Sequence, residues 1–205
     1  MAAAVLKASK PEIEVHFAHP ALLRSGNLDH LIDRQTAICD LPFHKDCGLY
    51  LDHHLTNRPT SEEEREFEKS GGICHWRDTP SAARAAYDLM KHDLDLSHLE
   101  GVMPIVDALD SGGISLEEFM EDGPIIRLSR SLSLSDPEHM QEVMQQFASG
   151  MQLDNILESH KSRLEELKTE RKFMTDMVRE RTKIIDELAI CDLSETGHRL
   201  SLIHI

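Results

Sequence analysis

Two short apolar segments that end in acidic or imidazole side chains constrain the fold of this 205-residue chain more than any other feature. The first covers residues 36–40 and the second covers residues 48–54, with turn-forming residues on both sides of the second. Apolar runs of this length between turns are typical of buried strands. Because ligands bind at the carboxyl edge of open parallel sheets, we expect Asp40 and His53 to lie together there.

The side chains that follow these two strands have the chemistry of a metal site. Asp40, Asp52, His53 and His54 supply carboxylate oxygens and imidazole nitrogens. This donor set suits borderline-hard divalent ions such as Mn²⁺, whereas structural zinc sites favour thiolates. Adjacent histidines alone would be a modest signal, because a polar strand end explains them equally well. The metal interpretation is favoured because another predicted strand, residues 36–40, also ends in an acid, Asp40.

In two segments the chain resembles the DHH phosphoesterase superfamily, which includes RecJ-like, oligoribonuclease and exopolyphosphatase-related enzymes. The segments are residues 39–42 (Cys-Asp-Leu-Pro) and residues 51–57 (Leu-Asp-His-His-Leu-Thr-Asn). Members of that superfamily hydrolyse short oligoribonucleotides, cyclic dinucleotides, pyrophosphate or polyphosphate, usually with manganese. The resemblance implies a metal-dependent phosphohydrolase with two Mn²⁺ ions per site, which Mg²⁺ or Co²⁺ could replace.

The resemblance also implies a role for each residue of the motifs. Asp40 would bridge the two metals, His53 would bind one of them, and His54 would act on the substrate phosphate. Asp52 would support the loop or orient a histidine nitrogen. Two divalent ions about 3.5 to 4 Å apart lower the pKa of a shared water, and the resulting hydroxide attacks phosphorus. Arg58 could bind phosphate oxygens, and the alternative is an ordinary surface arginine.

The fourth motif of the superfamily falls in residues 101–113, which contain two acids one helical turn apart. Asp107 follows an apolar step, as the ligand of the superfamily does, and it is the preferred metal ligand. Asp110 is the alternate, because residues three apart share one face of a helix. It could instead be an acid near a helix end that leads into a Gly-Gly turn.

The first motif of the superfamily, which carries a His and two Asp ligands, has no counterpart in the sequence. Met1 would lie just beyond it, so we expect a chain truncated at both ends with an incomplete active site and little activity of its own. The alternative is a non-catalytic protein, either a DHH-like nucleotide-binding module or a helical dimerisation module.

Strand and helix signals alternate along residues 1–135 and predict a doubly wound α/β domain with a mostly parallel sheet, the DHH domain. The candidate strands are residues 12–17, 36–40, 48–51 and 72–76, and the candidate helices are residues 21–32 and 80–92. Residues 136–187 predict a helical region with a long linker helix, which could also form a dimer. Residues 188–205 would begin a truncated C-terminal domain, with a tail at residues 200–205 that could be non-native.

The charge and composition of the chain limit the kinds of partner that it can bind. The formal charge of −15 argues against long nucleic acid, which is bound through many Lys and Arg contacts, but is compatible with a small phosphorylated or nucleotide substrate held by metals. No apolar run approaches the roughly 20 residues of a membrane span. The four cysteines lack paired metal spacing, as expected for reduced thiols. We therefore expect a cytoplasmic protein with no membrane partner.

Overall fold

The computed structural model describes residues 1–194. The chain divides into two compact units, and the second unit begins at His160. The predicted non-native tail at residues 200–205 lies outside the described residues.

The first unit combines three strands with helices of different lengths. Its strands are β1 (Ala37–Cys39), β2 (Leu49–Asp52) and β3 (Ile73–Trp76). Its α-helices are α1 (Ala2–Ser9), α2 (Pro20–Arg24), α3 (Ser61–Lys69), α4 (Ala82–Met90), α5 (Met103–Asp110), α6 (Leu116–Glu121), α7 (Pro124–Ser131), α8 (Pro137–Ala148) and α9 (Leu153–Ser159). Short 3-10 helices occur at Asp29–Leu31, Leu55–Asn57 and Ser97–Leu99.

The three strands form one parallel sheet in the order β1-β2-β3. Tyr50 in β2 lies between Ile38 and Cys74, and Leu51 lies opposite Cys39 of β1. The α/β fold class with a parallel sheet and a following helical region is confirmed. Because β1 and β2 run in the same direction, the residues that follow them emerge at the same edge of the sheet.

Helices cover both faces of this sheet, so consecutive residues of β2 are buried on opposite sides. Tyr50 packs in a cluster with Ile38 and with Phe67 of α3. Leu51 packs in the larger core with helices α1, α4, α5, α7 and α8. Helix α4 contributes four buried alanines to that core, and small side chains allow its backbone to lie close to β2. The double covering explains why these strands read as short apolar runs.

Two predicted elements near the N-terminus are wrong. Residues 12–17, predicted as a strand, form irregular backbone. Val15 and Phe17 pack against the larger core, and the Val15 carbonyl accepts a hydrogen bond from Gln141 Nε2, so the apolar pattern is satisfied without a neighbouring strand. The helix predicted over residues 21–32 ends at Arg24, because Gly26 takes a positive φ of 74° that a helix cannot continue.

The second unit contains α10 (Lys161–Arg181) and an antiparallel hairpin of β4 (Thr182–Ile185) and β5 (Leu188–Cys191). The helical region predicted over residues 136–187 contains a long helix, α10, but it ends at Arg181 because Thr182–Ile185 form a strand. The β-branched residues of β4 favour extended backbone, and Asp186 with φ 54° supplies the hairpin turn. Strand β5 lies at the start of residues 188–205, and the place of those residues in a further domain stays a prediction.

Among the described residues, no helix has both the length and the apolar character needed to cross a membrane.

Gly48 lies at a close approach of two backbone segments just before β2, and this generates a test. A Cβ atom at Gly48 would lie 2.0 Å from the carbonyl oxygen of Arg34. We expect Gly48→Ala to lower the free energy of unfolding by about 2 kcal/mol or more, measured by urea unfolding, because backbone must move. At Gly101 a Cβ atom would meet nothing within 4 Å. Gly101→Ala should change stability by less than about 1 kcal/mol, and equal effects would contradict the argument.

Candidate metal centre

Asp40 directly follows β1 and has a left-handed backbone conformation with φ 58°. Its amide donates to the carbonyl of Leu51 at 3.0 Å, which ties the bend to β2. Asp40 Oδ1 lies 3.7 Å from His53 Nε2 and 3.4 Å from His54 Nδ1. Asp is among the few residue types that adopt this conformation without a large penalty. The expected meeting of Asp40 and His53 at one edge of the sheet is present.

Asp52 is completely buried and organises the loop that follows β2. Its Oδ1 accepts the amides of His53 at 2.7 Å and His54 at 3.1 Å, and it lies 2.9 Å from His54 Nδ1. Its Oδ2 accepts Tyr50 Oη–H at 2.9 Å and Asn57 Nδ2–H at 2.8 Å. Both oxygens are therefore satisfied by the protein, as suits the supporting role predicted for Asp52.

Asp52 stays ionised in spite of its position. Burial alone would raise the pKa of its carboxyl group, but the hydrogen bonds from His54, Asn57 and the His53 amide outweigh burial and hold the pKa below its ordinary value. The same contacts act on His54 in the opposite direction. Burial lowers the pKa of that imidazole, whereas the hydrogen bond to Asp52 and the charges of Asp52 and Asp40 raise it overall.

The two ring nitrogens of His53 have different surroundings. Its Nδ1 lies 3.0 Å from the carbonyl oxygen of Thr79, which only accepts, so Nδ1 carries a proton and in the neutral ring Nε2 carries the lone pair. Nε2 is buried and accepts no hydrogen bond from the part of the chain that the structure describes. It lies 3.2 Å from Asp110 Oδ2, which cannot donate to it when ionised. Metal-ligating histidines show this arrangement, with the second nitrogen fixed by a carbonyl.

The two acids of helix α5 have different surroundings. Asp110, at the end of the helix, contacts His53. Asp107, one turn earlier, accepts Ser81 Oγ–H at 2.6 Å and two donors of Arg84, Nε at 2.9 Å and Nη2 at 2.6 Å. The structure thus brings the alternate acid, and not the preferred Asp107, to the imidazole.

The donor atoms of this cluster suit a cation. Asp40, Asp52, His53 and His54 offer ligand atoms that all lie within 4.8 Å of one another, and Asp110 adjoins them through His53. Burial and the charge of Asp110 raise the pKa of Asp40, and the nearby imidazoles only partly offset this effect. A divalent ion between the two carboxylates would remove their repulsion and satisfy the free His53 nitrogen.

His54 and Arg58 lie on the exposed side of the cluster. The His54 imidazole is half-exposed, and its carbonyl oxygen accepts Trp76 Nε1–H at 3.0 Å. The Arg58 guanidinium stacks 4.3 Å from the centre of the Trp76 ring. Arg58 therefore packs on Trp76, whose indole contacts the His54 carbonyl. The predicted contact of Arg58 with phosphate stays a prediction.

Sequence reasoning missed the residues that support the cluster from other segments. Trp76, the Thr79 carbonyl, Ser81 and Arg84 all touch a motif residue or an acid of the fourth motif. The small residues at the start of α4 carried a signal for close packing, but no motif indicated that a main-chain carbonyl would orient His53.

Replacing the buried carboxylate tests its supporting role. Asp52→Asn should lower the free energy of unfolding by about 2 to 4 kcal/mol, because an amide nitrogen would replace an acceptor that faces buried donors. Urea unfolding of the variant measures the loss. Asp176→Asn is the matched control, since Asp176 is exposed and lies 3.9 Å from Arg179. A change of Asp52 within the roughly 0.5 kcal/mol expected of a surface site would contradict the assignment.

Acidification tests the charge of the same group. Burial opposes ionisation of Asp52, yet hydrogen bonds hold its folded pKa below the ordinary value of 3.8. Its stabilisation is thus complete above the unfolded pKa and is lost as the pH falls through the folded pKa. The stability difference between the unaltered protein and Asp52→Asn should shrink as the pH falls from about 5 to about 2 in urea titrations, a range below the titration of His54. A difference that grows over that range would show the opposite pKa shift.

Comparison with known proteins identifies a structure of the same fold. No family model and no curated protein matches the sequence. The chain is similar to the solved structure of PggH, a pGpG-specific phosphodiesterase from Vibrio cholerae, with a TM-score of 0.73 and 21% identity. The match covers 96% of this chain and 65% of PggH. The chain therefore shares the fold of that phosphodiesterase and spans 65% of its length.

Proposed function

We propose that this chain is a metal-dependent phosphohydrolase that acts on a small phosphorylated substrate. The observation that carries the proposal is the buried His53 Nε2, which lacks a hydrogen-bond donor in the described residues and lies 3.2 Å from Asp110 and 3.7 Å from Asp40. The fold shared with a pGpG-specific phosphodiesterase supports a short oligoribonucleotide or a linear or cyclic dinucleotide, with polyphosphate as a further candidate.

In this proposal His53, Asp40 and Asp110 hold the metal. Asp110 replaces Asp107 as the fourth-motif ligand, because Ser81 and Arg84 already occupy both oxygens of Asp107. One imidazole and two carboxylates suit Mn²⁺, with Mg²⁺ or Co²⁺ as alternatives. A bound divalent ion would supply an activated water and neutralise charge on the phosphoryl oxygens.

His54 would bind the substrate phosphate. Its Nδ1–H donates to Asp52 Oδ1 at 2.9 Å, which fixes the ring, and Nε2 would donate to phosphate when the imidazole carries a second proton. Because Asp52 and Asp40 outweigh burial and raise the pKa of His54, a larger fraction of the imidazole carries the second proton near neutral pH. Arg58, exposed beside His54, would contact a second phosphate oxygen. The net charge of −15 favours a small substrate over a long nucleic acid.

Metal binding is the first test. Isothermal titration of the chelator-treated protein with Mn²⁺ should show binding, and His53→Ala and Asp110→Asn should each weaken it by at least about 100-fold, because each removes a ligand. Asp88→Asn is the matched control, since Asp88 is an exposed carboxylate paired with Lys91 at 2.7 Å. A protein that binds no Mn²⁺ would overturn the proposal.

Turnover is the second test. With Mn²⁺ the protein should hydrolyse a linear diribonucleotide such as pGpG slowly, and chelation or Asp40→Asn should abolish the reaction. Cyclic dinucleotides, pyrophosphate and polyphosphate, assayed in parallel, define the substrate class. Binding of the dinucleotide with no metal-dependent cleavage would instead support the non-catalytic nucleotide-binding alternative.

A further inference from the structure

We infer that Ser81, Arg84 and Asp107 form a positioning cluster that sets the separation of His53 and Asp110. The inference rests on the proposed function, because His53 and Asp110 are ligands of the proposed metal site. It assigns Asp107 a positioning role in place of the metal-binding role that the sequence suggested.

The positioning cluster joins the start of α4 to the middle of α5. Ser81 is completely buried, and its Oγ accepts the Arg84 amide at 2.9 Å as the N-terminal cap of α4. The same hydroxyl donates to Asp107 Oδ1 at 2.6 Å, and Arg84 donates to Oδ2 through Nε and Nη2. A two-point contact between guanidinium and carboxylate fixes direction as well as distance. The rotation of α5 relative to α4 is therefore fixed at Asp107.

The segment before α4 connects this cluster to the imidazole. The hydroxyl of Thr79 donates to the carbonyl of Ser81 at 2.9 Å. The carbonyl of Thr79 lies 3.0 Å from His53 Nδ1 and accepts a hydrogen bond from it. Only Pro80 therefore separates Thr79, whose carbonyl holds His53, from Ser81, whose hydroxyl holds Asp107.

Helix α5 connects the same cluster to the other ligand. Asp107 and Asp110 lie one turn apart in α5, and Asp110 Oδ2 is 3.2 Å from His53 Nε2. The contacts thus form a closed ring that runs from His53 through Thr79, Ser81, Asp107 and Asp110 back to His53. A change at Asp107 must move one ligand relative to the other, although Asp107 does not touch the proposed metal.

The hydrogen bonds and the exposure of each carboxylate distinguish a positioning role from a ligand role. Both oxygens of Asp107 accept hydrogen bonds, and the pair that it forms with Arg84 is largely buried, with side-chain exposures of 13% and 24%. Asp40 is more exposed, at 47%, and lies beside the free nitrogen of His53. An ion would have to displace Arg84 to reach Asp107, whereas Asp40 and Asp110 already adjoin the imidazole.

The test compares Asp107→Asn with Asp88→Asn in the full chain. Asp88 lies on α4, the helix that carries Arg84, and like Asp107 it pairs with a cation, Lys91, but it is exposed. Long-range proton–nitrogen NMR of the metal-free protein should show shifted His53 ring signals in Asp107→Asn and unchanged signals in Asp88→Asn. The dissociation constant for Mn²⁺, measured by titration calorimetry, should rise about 10- to 100-fold only in Asp107→Asn. Arg84→Lys, which keeps the charge, should retain more affinity than Arg84→Met.

Two outcomes would overturn the inference. If Asp107→Asn lowers only the melting temperature and leaves the His53 signals and the Mn²⁺ affinity unchanged, the cluster is merely structural. If it abolishes Mn²⁺ binding as His53→Ala does while the His53 signals stay in place, Asp107 is a ligand. Ser81→Ala, which removes one contact to Asp107, replaces Asp107→Asn if that variant does not fold. An unaltered chain that binds no Mn²⁺ overturns the proposed function, whereas the metal-free NMR result decides this inference separately.

Discussion

The buried carboxylate of Asp52 is the interaction on which the rest of the candidate site depends. A charge with no access to water is tolerated only when donors surround it. Tyr50 of β2 supplies one donor, and the loop after β2 supplies the others from Asn57 and the amides that follow Asp52. The chain must therefore turn tightly around one carboxylate as soon as the strand ends. This turn gives His53 and His54 fixed directions that a flexible loop could not give.

The remaining parts of the site come from segments far apart in sequence. The parallel pairing of β1 with β2 brings Asp40 to the loop, and the alanines of α4 let its preceding segment lie close enough for Thr79 to hold His53. Helix α5 then adds Asp110 from the other side. In each case the backbone places the side chain, because the positions of strands and helix starts determine which side chains can meet.

Much of the sheet and one edge of the site could be predicted from the sequence, and the rest depends on tertiary packing. Strand ends are local signals, so Asp40 and His53 were expected together, and the structure places them so. Asp107 and Asp110 lie on one face of a helix, and their surroundings differ because Ser81 and Arg84, at the start of another helix, contact Asp107. Residues 12–17 have a strand-like apolar pattern, but the side chains of Val15 and Phe17 pack on the core with no neighbouring strand.

The left-handed backbone of Asp40 makes this position subject to two kinds of selection at once. Most side chains would add backbone strain of about 1 to 2 kcal/mol there, whereas Asn and Gly tolerate the conformation. Asn alone keeps both the shape of the side chain and its backbone preference, so it isolates the loss of charge. Substitutions at residue 40 that preserve the fold would therefore be mainly Asn and Gly. Descendants with either residue would keep the sheet but lose the carboxylate of the proposed metal site.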